Sequence, residues 1–203
     1  AALLAQVQVA LRARDAEERQ RSLDQLQSGL LRASHLVDQM LQLARLDPES
    51  GLPDPQPVDL GRLAEAVCAD IGPQILAKDI DFDLNAMPAC MVTGQADWLR
   101  VMIRNLVDNA VRYTPAGGLV RVEVSRNESV CRFTVSDSGP GIPAEARELV
   151  LRRFHRLDQG NQPGSGLGLA IVARIAELHG AHFRLDTSDI TKGLIVAVQF
   201  PAS

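Results

Sequence analysis

Cysteine and lysine are scarce in this chain, and long apolar runs are missing. The three cysteines, Cys68, Cys90 and Cys131, are odd in number and far apart. They frame no disulfide scaffold and no zinc site, and they fit a reducing compartment. Of the 21 basic residues only Lys78 and Lys192 are lysines, so a mechanism that needs a dedicated lysine has two candidates. No stretch approaches the roughly 18 consecutive apolar residues that cross a bilayer. The opening run AALLAQVQVALRARD carries no basic leader and no cleavage site, so it is not expected to be a signal peptide. Positive charge is not in excess either. A net charge of -4 gives no support to a nucleic-acid partner. What is present is 203 residues, 46% of them apolar and 23% charged. That suffices for one or two domains with a real core and excludes a disordered acidic tail.

Two composition regimes meet near residue 50. Residues 1–46 have no proline and a single glycine, Gly29. Leu23, Leu26, Leu30, Ala33, Val37, Met40 and Ala44 step alternately by three and four, a heptad seam that is buried only against other helices. Leu4, Val7 and Leu11 repeat the step, and Arg14 to Glu17 reads as the turn of an antiparallel helical hairpin. Such a hairpin closes a four-helix bundle with a second copy; a coiled-coil spacer is the alternative. Residues 47–57 (DPESGLPDPQP) form a linker, because proline cannot continue a helix. Residues 58–203 form a second domain in which helix and strand patterns alternate. Helices are expected over 59–77, 95–113, 144–151 and 167–179, and strands near 80–85, 119–126, 130–137, 181–186 and 194–200. The expected class is α/β, with an antiparallel-rich sheet covered by helices on one face.

Three features of that domain carry chemistry. In the helix over 95–113, Leu99, Met102, Ile103, Leu106, Val107 and Ala110 make an apolar face, with Asn105, Asn109 and Arg112 along its edge. Asparagine is a poor helix-interior residue. Aligned carboxamide oxygens suit Mg²⁺, and the arginine suits phosphate; solvated surface asparagines are the alternative. Over 131–137, Asp137 shares a face with Cys131, Phe133 and Val135, so its carboxylate needs hydrogen-bond donors. The turn that follows, Ser138-Gly139-Pro140-Gly141-Ile142, lets a flat ligand approach the backbone. An exocyclic amine such as adenine's would satisfy the acid, while an ordinary Asp-Gly turn is the plainer alternative. Finally, Gly164-Ser165-Gly166-Leu167-Gly168-Leu169 leads into an amphipathic helix whose N-terminus suits an anion. No lysine follows, so it is not a P-loop, and the spacing is not that of a Rossmann turn. Between the two glycine turns lies Arg152-Arg153-Phe154-His155-Arg156 and then a polar stretch to Gly164 that reads as a lid. His155-Arg156-Leu157-Asp158 is not the catalytic loop of serine/threonine kinases, since no glycine-rich loop with its strand lysine precedes it.

Together, and in this order, the motifs resemble those of bacterial sensor histidine kinases. Asn105-Leu106-Val107-Asp108-Asn109-Ala110-Val111-Arg112-Tyr113-Thr114 resembles the N box and Asp137-Ser138-Gly139-Pro140-Gly141 the G1 box. Arg153-Phe154-His155-Arg156 resembles the F box and the run from Gly164 to Leu169 the G2 box. Leu36 to Asp47 is similar to the end of the second dimerisation helix in the QseC-type branch. The resemblance covers the whole chain and implies a Bergerat-type (GHKL) ATP-binding α/β sandwich preceded by a helical hairpin. It implies ATP and Mg²⁺ as ligands, with Asn109 on the metal and Asn105 close to metal and phosphates. By the same resemblance Arg112 and Arg156 would face the phosphates, Tyr113 the nucleoside and Asp137 the adenine amine. Gly139, Gly141 and Ile142 would line the base, with Phe154 in the F box beside the nucleotide. Gly164, Gly166, Leu167, Gly168 and Leu169 would pack around the phosphates. The implied reaction is transfer of the γ-phosphoryl group to a histidine and onward to an aspartate of a response regulator. Homodimerisation would run through the hairpin, and the implied place is the cytoplasmic part of an inner-membrane sensor.

The family's H-E-x-R-T-P-L phosphoacceptor motif is not in this sequence, and Ala1-Ala2-Leu3-Leu4 resembles the residues that follow it. The chain therefore reads as cut inside the first helix, with ATP binding retained and self-phosphorylation lost. His35 reads as an ordinary helix histidine, His179 and His182 as flanks of a helix-ending glycine, and Trp98 as core. Gyrase-, Hsp90- and MutL-like ATPases place a general-base glutamate where Asn105 stands, and an asparagine cannot take a proton from water. A dimerising module with a degenerate nucleotide site is the remaining alternative.

Overall fold

The computed structural model describes residues 7–9, 11, 13, 15–46, 51–127, 130–155, 165–188 and 193–201, and not the side chains of Arg32 and His35. The expected turn at Arg14, the start of the chain, the lid stretch, Arg156 and Gly164 lie outside the described residues. The chain divides into two compact units, Ala1–Arg45 and Leu46–Ser203.

In the first unit, residues 7–9 and 11 are helical, and a 30-residue helix, α1, runs Ala16–Arg45. Asp15 starts it by accepting from the Glu18 N–H at 2.7 Å. Glu17 and Glu18 in its first turn and Arg45 in its last match the helix dipole. Leu23, Leu30, Val37 and Met40 of the heptad seam are exposed, as are Leu31 and Leu41 beside it.

The second unit runs β1 (Gln56–Asp59), α2 (Leu60–Ala77), β2 (Asp81–Ala86), β3 (Met91–Gly94), α3 (Ala96–Tyr113), β4 (Leu119–Asn127), β5 (Val130–Asp137), α4 (Gly168–Leu178), β6 (His182–Thr187) and β7 (Leu194–Pro201). Five strands form one sheet in the order β2-β4-β5-β7-β6, with only β2 and β4 parallel. Val120, Val122 and Val124 of β4 and Cys131, Phe133 and Val135 of β5 face inward and are buried. On α3 the buried face is Leu99, Met102, Ile103, Leu106, Val107, Ala110 and Val111. Helix α3 packs between α2 and α4, so the result is a two-layer α/β sandwich. Each fully buried Leu, Ile or Phe in it is worth roughly 1.5–3 kcal/mol of transfer free energy.

The structure differs from expectation in two places. Residues 144–151 form two separate 3₁₀ turns, Ala144–Ala146 and Leu149–Leu151, with no side-chain cap on either. A segment this short does not offset the unfavourable nucleation of an α-helix. Strands β1 and β3 pair antiparallel in a small second sheet, so Gln56 and Pro57, read as linker, open a strand. Each is four residues long and too short to show a period.

One buried histidine joins the far ends of α3 and α4. His179 accepts the Gln95 N–H at Nε2 (3.1 Å) and donates from Nδ1 to the Ile175 carbonyl (2.8 Å). It therefore sits as the neutral Nδ1–H tautomer. Its ring meets Trp98 and Phe200 edge to face, and it fills the place a side chain would need at Gly94. Burial pushes its pKa below the ordinary 6.5, against a raising effect of the Ile175 carbonyl. The unfolded chain thus takes a proton at a pH where the folded chain does not. The stability this gives is full above about 6.5 and is lost as pH falls toward the depressed folded value. Urea unfolding at pH 7.5 and 5.5 is expected to show a loss for the native sequence and a smaller loss for His179→Gln, which cannot protonate. Equal losses in the two would contradict this account.

Candidate functional site

A cavity lies at the ends of β5 and β7 beside α3. Leu106, Asn109, Ala110 and Tyr113 of α3 form a wall, and Val135 and Asp137 of β5 with Leu194 and Val196 of β7 form the floor. Pro140, Gly141 and Ile142 line one rim, and Val150, His155, Gly166, Gly168 and Leu169 the other. The three features read from the sequence thus converge on a common space.

Asp137 is the only carboxylate among the described lining residues, and it is 6% exposed. Its Oδ1 accepts from the Gly139 N–H at 2.9 Å and the Leu194 N–H at 3.3 Å. Burial raises its pKa above the ordinary carboxylate value, and the two backbone donors oppose the rise. The turn holding it is locked. The Ser138 N–H donates to the Leu119 carbonyl at 2.9 Å, and Ser138 Oγ accepts from the Leu119 N–H at 2.8 Å. A Cβ at Gly139 would lie 2.9 Å from both Asp137 Oδ1 and the Tyr113 carbonyl oxygen. One at Gly193 would lie 1.9 Å from the Asp137 carbonyl oxygen. Sequence reasoning missed Gly193. Its signal is a glycine immediately before the apolar run of β7.

Helix α4 begins at Gly168, whose first amides, like those of any helix, have no intrahelical acceptor. Leu167 gives no side-chain cap, and its own N–H donates to Ser165 Oγ at 3.2 Å. Gly166 turns the chain in the left-handed region (φ 72°), as Gly141 does on the opposite rim (φ 70°). A Cβ at Gly168 would stand 3.0 Å from Asn105 Oδ1 and 3.4 Å from Asn109 Nδ2. The missing side chain lets both carboxamides approach the start of α4.

Of the residues expected at the site, Asn109, Tyr113, Asp137, Gly141, Ile142, Gly166, Gly168 and Leu169 line the cavity. Asn105 sits behind Gly168 with its Nδ2 donating to the Val101 carbonyl at 2.8 Å. Gly139 and Leu167 support the wall, and Arg112 lies one position before Tyr113 without lining it. Phe154 is exposed (58%) and has a left-handed backbone (φ 63°), and its N–H donates to the Gly166 carbonyl at 3.1 Å. Its backbone braces the second glycine turn, and among the described residues of that box His155 lines the cavity. Val135, Leu194 and Val196 read from sequence only as sheet residues; nothing in a strand pattern tells a cavity floor from a core.

No group of three or more His, Cys, Asp or Glu that could hold a metal occurs among the described residues. A metal at this site would meet carboxamide oxygen and ligand oxygens, a donor set suited to Mg²⁺.

Residues 94–203 match the family described as histidine kinase-, DNA gyrase B-, and HSP90-like ATPase. Over 202 residues, 99% of it, the chain is 41% identical to the sensor protein kinase PmrB of Pseudomonas aeruginosa. It spans 42% of that relative's length. The solved cytoplasmic segment of histidine kinase QseC is 32% identical with a TM-score of 0.59, covering 85% of this chain and 94% of that one. Full-length ShkA, solved with AMPPNP, is 28% identical with a TM-score of 0.74, covering 93% of this chain and 40% of that one.

Proposed function

The chain belongs to the histidine kinase-, DNA gyrase B-, and HSP90-like ATPase family, among its sensor histidine kinases, and from that premise we propose that its cavity binds ATP with Mg²⁺ for transfer of the γ-phosphoryl group to a histidine. The observation that carries this reading is the convergence of Asn109, Asp137, Gly141 and Gly168 on one cavity.

Asp137 accepts the adenine amine, while Ile142, Val135 and Val196 give the base apolar faces. The amides at the start of α4 hold phosphate oxygens. Asn109, with Asn105 behind it, holds the metal, which when bound neutralises phosphate charge. By the family resemblance Arg112, which does not line the cavity, and Arg156, which lies outside the described residues, are the further positive charges for the phosphates. These groups position and neutralise, which is what phosphoryl transfer requires of a protein. Hydrolysis is disfavoured. Asp137 is held by Gly139 and Leu194, and Asn105 cannot serve as a base for water. The acceptor histidine belongs to a helix with the H-E-x-R-T-P-L motif, and an aspartate of a response regulator takes the group next. The exposed stripe of α1 supports dimerisation through that helix. No helix among the described residues is long and apolar enough to cross a membrane. A membrane tether in a whole sensor would lie in other segments.

Titration with a fluorescent ATP analogue, in Mg²⁺ and in EDTA, tests the assignment. The native sequence binds more tightly with Mg²⁺, and Asn109→Ala loses that advantage, about tenfold or more in affinity. An unchanged Mg²⁺ response in the variant refutes the role of Asn109.

A further inference from the structure

The end of α3 needs help that its own sequence does not supply. The last carbonyls of a helix have no intrahelical donors. A glycine in the left-handed region commonly closes them. Here Thr114 leaves the helix in extended geometry (φ −68°, ψ 131°) and a proline follows, so that closure is not made.

Lys78 supplies it from another element. Its Nζ donates to the Val111 carbonyl at 2.8 Å and the Arg112 carbonyl at 2.7 Å. The same residue ends α2, its N–H donating to the Ile75 carbonyl. The turn it begins holds the segment beyond α3. The Gly117 N–H donates to the Asp79 carbonyl at 3.0 Å, and the Asp81 N–H to the Gly118 carbonyl at 2.8 Å. Asp79 adopts a left-handed φ of 53° to make this turn. Burial, and after it the charge of Arg112, lower the Lys78 pKa.

The held turn is the one that faces the cavity. Tyr113 lines it, and Asn109 lies one helical turn earlier. The Tyr113 carbonyl is packed so tightly on Gly139 that a Cβ there would approach to 2.9 Å, and the Gly139 N–H holds Asp137. An unbroken series of contacts thus joins the Lys78 ammonium to the acid on the cavity floor.

We propose that Lys78 is a positioning residue for nucleotide binding: by holding the Val111 and Arg112 carbonyls it sets the last turn of α3, and so places Tyr113 against the Asp137–Gly139 turn. The proposal rests on the nucleotide reading of the cavity. In it Lys78 touches no ligand. It acts through backbone, so a longer cationic donor should replace it and an apolar isostere should not.

Lys78→Met, Lys78→Arg and Lys78→Gln test it, with Arg104→Ala as a control. Arg104 lies on α3 and makes long ion pairs with Asp70 at 3.9 Å and Asp108 at 3.8 Å. The chain has one tyrosine, Tyr113, so 3-fluorotyrosine labelling gives a single ¹⁹F resonance at the turn in question. Lys78→Met is expected to weaken binding of the fluorescent ATP analogue by roughly tenfold and to shift the ¹⁹F resonance of the folded, ligand-free chain. Lys78→Arg should restore affinity to within about threefold, and Arg104→Ala should change neither reading. Lys78→Gln, which keeps a neutral donor, gives an intermediate loss and serves if the methionine variant does not fold. Native affinity in Lys78→Met or Lys78→Gln overturns the proposal. So does a weakened affinity with an unmoved ¹⁹F resonance, which would mark a general loss of stability. If the native chain binds no nucleotide, the reading of the cavity falls and this inference with it; native binding that Lys78→Met leaves intact removes this inference alone.

Discussion

Asp137→Asn is expected to leave the chain folded and to lower its affinity for ATP by roughly 100-fold, the value of one hydrogen bond to a buried charge. The fold survives because asparagine keeps an oxygen where Asp137 Oδ1 accepts from the Gly139 and Leu194 amides. It also removes a charge that burial disfavours. The raised pKa of Asp137 means that folding disfavours its ionised form relative to the unfolded chain, with burial as the cause. Stability from this group is therefore full below the ordinary carboxylate range and is lost as pH rises through the folded value. At pH 7.5 the variant should melt no lower than the native sequence, and any advantage should narrow as the pH falls. What the variant lacks is the second carboxylate oxygen, which is replaced by an NH₂ that cannot accept from an amine. The native sequence should prefer ATP to inosine triphosphate, which has no exocyclic amine, and Asp137→Asn should not. Calorimetric titration of both nucleotides into both proteins measures this, and a variant that keeps the preference would show that the acid does not contact the base.

The second large effect belongs to a glycine with no place in any of the recognised motifs. Gly193→Ala puts a Cβ 1.9 Å from the Asp137 carbonyl oxygen and 2.7 Å from the carbonyl carbon. Backbone atoms cannot rotate away as a side chain would, so the start of β7 must move off β5. The movement separates the Leu194 N–H from Asp137 and strains the Ser188 N–H bond to the Gly193 carbonyl. Overpacking of this kind destabilises by about 1–3 kcal/mol, which for a unit of this size lowers Tm by roughly 3–10 °C. ATP affinity should fall with it, because Leu194 is both a donor to Asp137 and part of the floor. Differential scanning calorimetry and the fluorescent titration check the two halves. A variant with native Tm and native affinity would mean that β7 is not seated where the structure has it.

Much of this was readable before any coordinates. The apolar face of α3 and the valine alternation of β4 follow from periods of 3.6 and 2, and both elements form within a residue of expectation. Asp137, Asn109 and Gly168 could be singled out because a buried acid, aligned carboxamides and a glycine at a helix start each violate a local preference. Gly193 and Lys78 could not. The need for glycine at 193 comes from β5, which is remote in sequence, and Lys78 acts on carbonyls 33 and 34 residues away. Phe154 illustrates the reverse case. Its place in the F box suggested a ring beside the nucleotide, whereas Phe154 is exposed with a left-handed backbone and His155 lines the cavity. Asn105 carries the same lesson more mildly, since its amide is tied to the Val101 carbonyl and it meets the site through Gly168.

The most direct test of the whole account is to map, by ¹H–¹⁵N NMR, which backbone amides respond when Mg²⁺ and a non-hydrolysable ATP analogue are added. The account predicts saturable shifts at Asn109, Tyr113, Asp137, Gly141, Gly166 and Gly168, with Arg121 and Thr134 on the outer face of the sheet unmoved. Shifts scattered over that outer face, or no saturable shift around Asp137 and Gly168, would contradict it.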